Sequence, residues 1–167
     1  YFLIQTDFQN NILNILATLA VMSIYLDISK IDKNIFNNFK TPNGRGDISK
    51  IKINTKILNL IDESYNSNPL SLKSAIENFD KIESNKSKKY LLLGDMLELG
   101  KYSKKLHQSI GNIINGTKID KVFVKGHKIL FTFNSISKLK RGRILNKDFE
   151  IINLIKNDLN NNDYLMV

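Results

Sequence analysis

The 167-residue sequence predicts an α/β fold, a Rossmann-like, open and mostly parallel sheet with helices on both faces. Apolar runs of strand length alternate along the chain with segments whose apolar residues recur at helical spacing. One run, residues 90–93 (YLLL), is apolar on both faces, as a central parallel strand is when helices cover both sides. Acidic loops follow two of the runs, at residues 62–69 and 94–100, which is where open parallel sheets bind ligands.

The first part of the chain predicts helices. Asn10 or Asn11 can cap a helix. Its apolar residues recur every three or four positions: Ile12, Ile15, Leu16, Leu19 and Met22. Residues 31–39 predict a second, shorter helix. Residues 41–47 (TPNGRGD) then concentrate Pro and Gly, which end helices and form turns, so we expect a domain boundary between residues 42 and 43.

Strands and helices alternate beyond that boundary. Strands are predicted at residues 48–53, 57–61, 90–93, 121–125 and 143–145, and the apolar run 164–167 also indicates a buried strand. Pro69 suits the first turn of a helix with a single buried stripe. Further helices are predicted over residues 103–114, from His127, and over a segment that carries Phe149, Ile152, Ile155 and Leu159.

Composition excludes several classes of protein. The formal charge is +9, but the lysines are scattered without interleaved aromatic residues, which favours a solvated surface over a nucleic-acid groove. The absence of Cys excludes disulfides, thiolate metal sites and cysteine nucleophiles. The apolar stretch 12–26 contains Asn14, Thr18 and Ser23 and falls short of the roughly 20 apolar residues that a membrane span needs.

Both ends of the chain indicate a piece of a longer protein. The sequence starts without Met, at Tyr1, and it stops inside the apolar run 164–167. We therefore expect a fragment whose second domain is truncated at its end.

Polar residues in the loop 62–69 each have two interpretations. Asp62 at a strand exit can accept hydrogen bonds from ribose hydroxyls, or it can form a turn. Tyr65 can stack on a base or fill the core. Asn66 and Asn68 tolerate left-handed backbone, and Asn68 before Pro69 also fits an ordinary helix start.

Arg45 is a candidate phosphate ligand. It lies between Gly44 and Gly46, where the backbone can approach a ligand closely and a guanidinium can hold a phosphate with two hydrogen bonds. The alternative is a surface arginine at a hinge. The sequence contains no glycine-rich phosphate loop ending in Lys-Ser or Lys-Thr, and no complete dinucleotide fingerprint.

The two histidines do not indicate a catalytic or metal site. His107 and His127 lack the spacing and company of metal ligands or of a triad, so helix packing or capping is favoured for both. No nucleophile and general base can be paired within the sequence. We therefore expect no catalytic residue and no metal ligand in this chain.

Four segments taken together resemble the Mur ligases. They are residues 11–17, 44–45, 62–69 and 93–100, the last followed by Ser103, His107 and Gly111. Their order and spacing extend over most of residues 10–126, which makes the resemblance specific. After His127 the likeness fades.

The resemblance implies an ATP- and Mg2+-dependent amide ligase of cytoplasmic peptidoglycan synthesis. Such an enzyme adds D-alanyl-D-alanine to UDP-N-acetylmuramoyl tripeptide: ATP phosphorylates a carboxylate, and the incoming amine attacks the acyl phosphate. The protein then contributes mostly positioning and charge stabilisation. We expect a monomer, with no nucleic-acid partner and no membrane insertion.

The resemblance implies roles for the residues of this chain that match the family's segments. Asn11 and Asn14 would contact adenine, Arg45 the ATP phosphates from an interdomain hinge, and Asp62 the ribose. The dipeptide side of the cleft would be lined by Ser64, Tyr65, Asn66, Asn68, Asp95 and Met96.

The same resemblance implies two domains. Residues 1–42 would be the C-terminal end of a central ATPase domain, and residues 43–167 a C-terminal ligase domain. The UDP-binding domain, the ATPase phosphate loop, the metal ligands and the family's modified lysine would lie outside this chain. The fragment alone is therefore expected to be inactive.

Departures from the family pattern leave alternatives open. Residues 8–10 (FQN) stand where Gly-x-His is usual, Glu63 where Asp is common, and Ser67 where Ala is common. The enzymatic alternative is a related amide ligase of the folylpolyglutamate or cyanophycin type. A different class of alternative is a non-catalytic module that binds nucleotides or nucleic acid.

Overall fold

The structure, a computed structural model, describes Phe2, residues 9–37 and residues 44–167, with only the backbone described for residues 9–11 and 47. The chain divides into two compact units, Tyr1–Pro42 and Asn43–Val167. The assignment of the first unit to a central ATPase domain stays a prediction.

Helix α1 (Gln9–Tyr25) belongs to the first unit. It begins before Asn10 and Asn11, so neither residue is the N-terminal cap that the sequence predicts. Of its regularly spaced apolar residues, Ile15 and Leu19 are buried, whereas Ile12 and Leu16 are exposed. None of the helices in the described parts of the chain combines the length and apolar character that crossing a membrane requires.

The predicted helix over residues 31–39 is wrong in its described part. A 3₁₀ turn (Ile28–Lys30) is followed by a hydrogen-bonded turn at residues 33–37. The Asp32 carboxylate accepts the backbone N–H of Asn34 at 2.9 Å. Such short-range bonds offer the backbone an alternative to the helix, which explains why apolar spacing misleads here.

A six-stranded sheet forms the centre of the second unit. Its strands are β1 (Asp47–Ile53), β2 (Lys56–Asp62), β3 (Lys89–Leu93), β4 (Lys121–Val124), β5 (Arg141–Ile144) and β6 (Tyr164–Met166). They follow the order β1-β2-β6-β3-β4-β5. β1 and β2 form an antiparallel hairpin, and the other pairs are parallel. The predicted open, mostly parallel sheet is confirmed.

Helices cover both faces of this sheet. They are α2 (Pro69–Lys81), α3 (Ser103–Asn115), α4 (Leu130–Ser135) and α5 (Asp148–Asn153). On one face Leu91 belongs to a core cluster with Ile76 of α2 and Ile110 of α3. On the other face Leu92 clusters with Leu154, which follows α5. Strand β3 is therefore buried on both sides, as its apolar sequence predicts.

The last predicted helix forms in the expected segment, with Phe149 and Ile152 exposed and Ile155 and Leu159 packed on the core. After α5 the chain continues as a π-type turn, Leu154–Asp158. Leu154 and Leu159 are fully buried.

Helix α3 approaches α4 closely at Gly111. A Cβ at this position would lie 2.7 Å from the Thr132 carbonyl oxygen and 2.7 Å from the Ser135 Cβ. The Thr132 hydroxyl also donates to the carbonyl of His107 at 2.8 Å. Gly111, part of the segment that resembles the Mur ligases, therefore has a packing role.

Candidate functional site

A pocket opens at the carboxyl ends of β2, β6 and β3. Its volume is about 360 Å3, within the roughly 300–1,000 Å3 range of small-molecule sites. It is lined by Glu63, Ser64, Tyr65, Asn66, Ser67, Leu72, Leu92, Leu93, Gly94, Asp95, Leu97, Met166 and Val167. The two acidic loops singled out in the sequence thus face one cavity.

The strands that carry these loops, β2 and β3, are not neighbours in the sheet. β6 lies between β2 and β3 and pairs with both in parallel. It contributes Met166 and Val167 to the pocket. The backbone N–H of Glu63 donates to the Val167 carbonyl at 2.8 Å, which fixes the start of the first loop against β6.

The exit of β2 directs successive side chains to opposite faces of the sheet. Ile61 belongs to the core under α2 and α3, and Leu60 packs on the opposite core. With the period of two that a strand imposes, Glu63 follows Ile61 and Asp62 follows Leu60. Glu63 accordingly lines the pocket, and Asp62 is not among its lining residues.

The Asp62 carboxylate holds a local turn. Its Oδ1 accepts the backbone N–H of Ser64 at 3.0 Å and the Ser64 hydroxyl at 2.6 Å. This geometry matches the turn-forming role that the sequence leaves open. Oδ2 is not used by these two bonds. A ribose contact stays a prediction.

The turn that carries Arg45 docks on the exit of β2. The Gly46 N–H donates to the Asp62 carbonyl at 2.8 Å, and the Tyr65 N–H donates to the Gly44 carbonyl at 3.2 Å. The exposed Arg45 guanidinium lies 4.4 Å from the centre of the Tyr65 ring, within cation–π range. The structure therefore brings Arg45, Asp62 and Tyr65 together, and of these three only Tyr65 lines the pocket.

Asn68 has the capping role that the sequence leaves open. Its Oδ1 accepts the backbone N–H groups of Leu70 and Ser71, both at 3.0 Å. The Ser71 hydroxyl oxygen accepts the Asn68 N–H at 3.0 Å, which completes a capping box at the start of α2. Asn68 is not a lining residue of the pocket, whereas Asn66 is.

Asp95 ties the loop after β3 to the loop after β4. Its Oδ1 accepts the N–H of Ile129 at 2.7 Å, and Oδ2 accepts the N–H of His127 at 3.1 Å. Gly126 permits this approach, since a Cβ there would lie 2.4 Å from Oδ1 of Asp95. The helix predicted from His127 accordingly begins only at Leu130.

Met96 differs from the other predicted dipeptide residues because its side chain is fully buried in the core. Its backbone N–H donates to Nε2 of the buried His107 at 3.3 Å. Nδ1 of His107 lies 2.8 Å from the Ser103 carbonyl oxygen, which fits the tautomer protonated on Nδ1. Met96 and His107 thus hold the loop after β3 against the core. His107 has the packing role that its sequence context favours.

Glu63 is the pocket residue that our sequence reasoning missed. Burial, and then the neighbouring Asp62 charge, raise the pKa of Glu63 above its ordinary value. The alternation of side chains along β2 could have indicated this residue, because it places Glu63 and Asp62 on opposite faces of the sheet. The sequence does not show on which face of the sheet the pocket opens. Asp62, an Asp at a strand end, was therefore the predicted ligand instead of Glu63.

The predicted adenine contacts lie on α1, in the first unit. Asn14 is exposed, and the side chain of Asn11 lies outside the described residues. Their role stays a prediction. Within residues 9–37 and 44–167, no group of three or more His, Asp or Glu side chains is placed to hold a metal ion.

Comparison with known proteins identifies the family. The profile described as "Mur ligase, glutamate ligase domain" matches residues 50–165. A D-alanyl-D-alanine ligase acting on UDP-N-acetylmuramoyl tripeptide from Bacillus subtilis is 44% identical over 69 residues, covering 41% of this chain and 15% of that protein. The enzyme of the same name from Buchnera aphidicola subsp. Baizongia pistaciae is 33% identical over 161 residues, covering 95% of this chain and 32% of that protein.

Solved structures agree in fold. The MurF ligase of Thermotoga maritima in complex with ADP superposes with a TM-score of 0.75 at 24% identity, covering 95% of this chain and 34% of that one. A MurF of Acinetobacter baumannii gives a TM-score of 0.74 at 20% identity, covering 98% of this chain and 35% of that one. The chain thus spans about a third of the length of the relatives that it matches most fully. The family match over residues 50–165 shows that the chain belongs to the Mur ligase family.

Proposed function

We propose that this chain is the C-terminal part of an ATP-dependent amide ligase that adds D-alanyl-D-alanine to UDP-N-acetylmuramoyl tripeptide in cytoplasmic peptidoglycan synthesis. The curated relatives described above carry that name. The observation that carries the proposal is the exit of β2, which presents Arg45 and Asp62 beside a pocket lined by Glu63 and Asp95. A monomeric state stays a prediction.

The nucleotide side of the site would consist of Arg45 and Asp62. ATP would supply the phosphoryl group that turns a carboxylate into an acyl phosphate, and Mg2+ would neutralise the charge of its phosphates. Arg45 suits phosphate binding because its guanidinium is exposed and is held over the Tyr65 ring, which limits its freedom before a ligand arrives. The ADP named with the Thermotoga maritima structure supports nucleotide binding by the proposed enzyme.

The pocket would receive the dipeptide. Leu72, Leu93 and Met166 are apolar lining residues that suit the methyl groups of alanine residues. Polar groups of Ser64, Tyr65, Asn66 and Asp95 lie around them. Asn68 and Met96 contribute through the cap of α2 and the support of the loop after β3.

Phosphate release by the full-length protein tests this function. We expect release only when UDP-N-acetylmuramoyl tripeptide and D-alanyl-D-alanine are both present with ATP, because the acyl acceptor and the amine complete one reaction. The amine panel should also contain glutamate, aspartate and arginine. Equal turnover with one of these would assign the protein to a folylpolyglutamate-like or cyanophycin-like ligase instead.

The nucleic-acid alternative has less support. Some lysine side chains form hydrogen bonds within the fold. The ammonium group of Lys89 donates to the Asp80 carbonyl at 2.7 Å, and that of Lys56 donates to the Leu159 carbonyl at 2.7 Å. Filter binding to RNA or DNA over a salt series separates the two hypotheses, because phosphate-driven affinity falls steeply with salt.

A further inference from the structure

The charged residues that line the pocket all have one sign. Glu63 and Asp95 are both carboxylates, and no Lys, Arg or His of the described part of the chain lines the pocket. Arg45, the nearby cation, lies over the Tyr65 ring and is not a lining residue. A ligand group that is held at these carboxylates is therefore expected to be a cation.

Of the two carboxylates, Glu63 is the one available to a ligand. Both oxygens of Asp95 already accept backbone N–H groups, from Ile129 and His127. Among the described residues, no side chain forms an ion pair or hydrogen bond with the Glu63 carboxylate. Asp62, the next residue, holds its Oδ1 on Ser64.

The surroundings of Glu63 make an unpaired charge unfavourable. The residue is half-buried beside the apolar lining residues Leu93 and Met166. Its pKa is raised by this burial and by the charge of Asp62. A half-buried carboxylate is stabilised when a cation supplies charge and hydrogen bonds, so the pocket favours a cationic ligand.

The apolar lining residues of the pocket indicate which kind of cation fits. Within residues 9–37 and 44–167 no group of three or more carboxylate or imidazole side chains is placed to hold a metal ion, and both oxygens of Asp95 are engaged. An organic ammonium needs only a few acceptors and carries apolar carbon that the leucine and methionine side chains can contact. Primary amines with a small apolar body fit both features.

We propose that the Glu63 carboxylate binds the ammonium group of the incoming amine substrate and thereby sets the specificity of the pocket for a small amine. The inference rests on the proposed ligase function and adds a residue to it. Arg45 and Asp62 would serve the nucleotide on one side of the β2 exit, and Glu63 would serve the amine on the other. Loss of the charge should therefore affect one substrate and spare the other.

Steady-state kinetics of the full-length protein test this assignment. Glu63→Gln, which preserves shape and removes the charge, should raise the KM for D-alanyl-D-alanine about tenfold or more, because a charge-assisted hydrogen bond is lost. The KM for ATP should stay within about twofold of the wild-type value. Glu63→Asp should restore part of the amine affinity. Glu98→Gln removes an exposed carboxylate from the loop after β3 and should change neither KM.

A stability measurement shows that the kinetic effect is not caused by damage to the fold. The raised pKa means that folded Glu63 binds a proton more readily than the unfolded chain, so wild-type stability falls as pH rises from the ordinary glutamate range through the raised value. Glu63→Gln lacks this loss. Its melting temperature relative to wild type should therefore be higher at pH 7.5 than at pH 4.

The outcomes separate the inference from the proposed function. If wild type turns over D-alanyl-D-alanine and Glu63→Gln leaves its KM within twofold, the role of Glu63 is refuted and the ligase function stands. If wild type prefers another amine, the proposed substrate is wrong, and the same variants measured with that amine decide the role of Glu63. Absence of turnover with every amine refutes both.

Discussion

Gly126→Ala should destabilise the fold by about 3 kcal/mol or more, the largest stability loss that we expect from adding one methyl group. Gly126 has a φ of +139°, a region that side chains with a Cβ rarely adopt. Strained backbone and overpacking each cost about 1–3 kcal/mol. Here the added Cβ would lie 2.4 Å from Oδ1 and 2.6 Å from Cγ of Asp95, so both costs apply.

Gly94→Ala is the matched control, because Gly94 lies next to Asp95 on the same rim of the pocket. A Cβ at Gly94 would meet only the Lys125 carbonyl oxygen, at 3.9 Å, which is an ordinary contact. Urea denaturation followed by circular dichroism measures both variants. Equal midpoints for Gly126→Ala and Gly94→Ala would show that Asp95 is not held against the Gly126 turn as the structure indicates.

Arg45→Ala in the full-length protein should lower kcat/KM for ATP about 100-fold, the upper range for losing charge-assisted hydrogen bonds to phosphate. The guanidinium is exposed and lies over the Tyr65 ring, 4.4 Å from its centre. It therefore needs little reorganisation on binding. Arg45→Lys should recover only part of the activity, since lysine offers a point charge without the planar pair of donors.

Arg143→Ala is the control for net charge. Arg143 is an exposed arginine of β5, at the far edge of the sheet, and it pairs with Asp158. Its loss should leave the kinetics for ATP within about twofold of wild type, because screened surface charges contribute little at a distance. Unchanged ATP kinetics in Arg45→Ala would remove Arg45 from the nucleotide side of the site.

The sequence indicates that the strands form an open, mostly parallel sheet, but it does not indicate their order. Residues 90–93 are apolar on both faces, which is sufficient to place β3 in the interior of a parallel sheet. The insertion of β6 between β2 and β3 depends on pairs such as Asn59 with Tyr164 and Lys89 with Tyr164, which are far apart in sequence, and local pattern carries no information on that choice. Both acidic loops were nevertheless correctly placed at one edge, since carboxyl ends of parallel strands share it.

The roles of individual site residues were harder to predict from the sequence than the position of the site. Asn68 and Asp62 have side chains that satisfy local backbone groups, and the sequence leaves both their turn and ligand roles open. Met96 lies in a loop that also contains Leu97 and Leu99, and its backbone N–H donates to His107, eleven positions further along the chain. The stacking of Arg45 on Tyr65 requires the Gly44 turn to dock on β2, a tertiary contact that no local pattern encodes.

The exit of β2 is expected to separate the two substrates, with the nucleotide on the side of Arg45 and Asp62 and the amine in the pocket at Glu63. A crystal structure of the full-length protein with ADP and D-alanyl-D-alanine bound tests it most directly. We expect a phosphate oxygen within about 3.2 Å of the Arg45 guanidinium and the dipeptide ammonium at a similar distance from Glu63. ADP bound away from Arg45 and Asp62, or a dipeptide outside the pocket, would contradict the account.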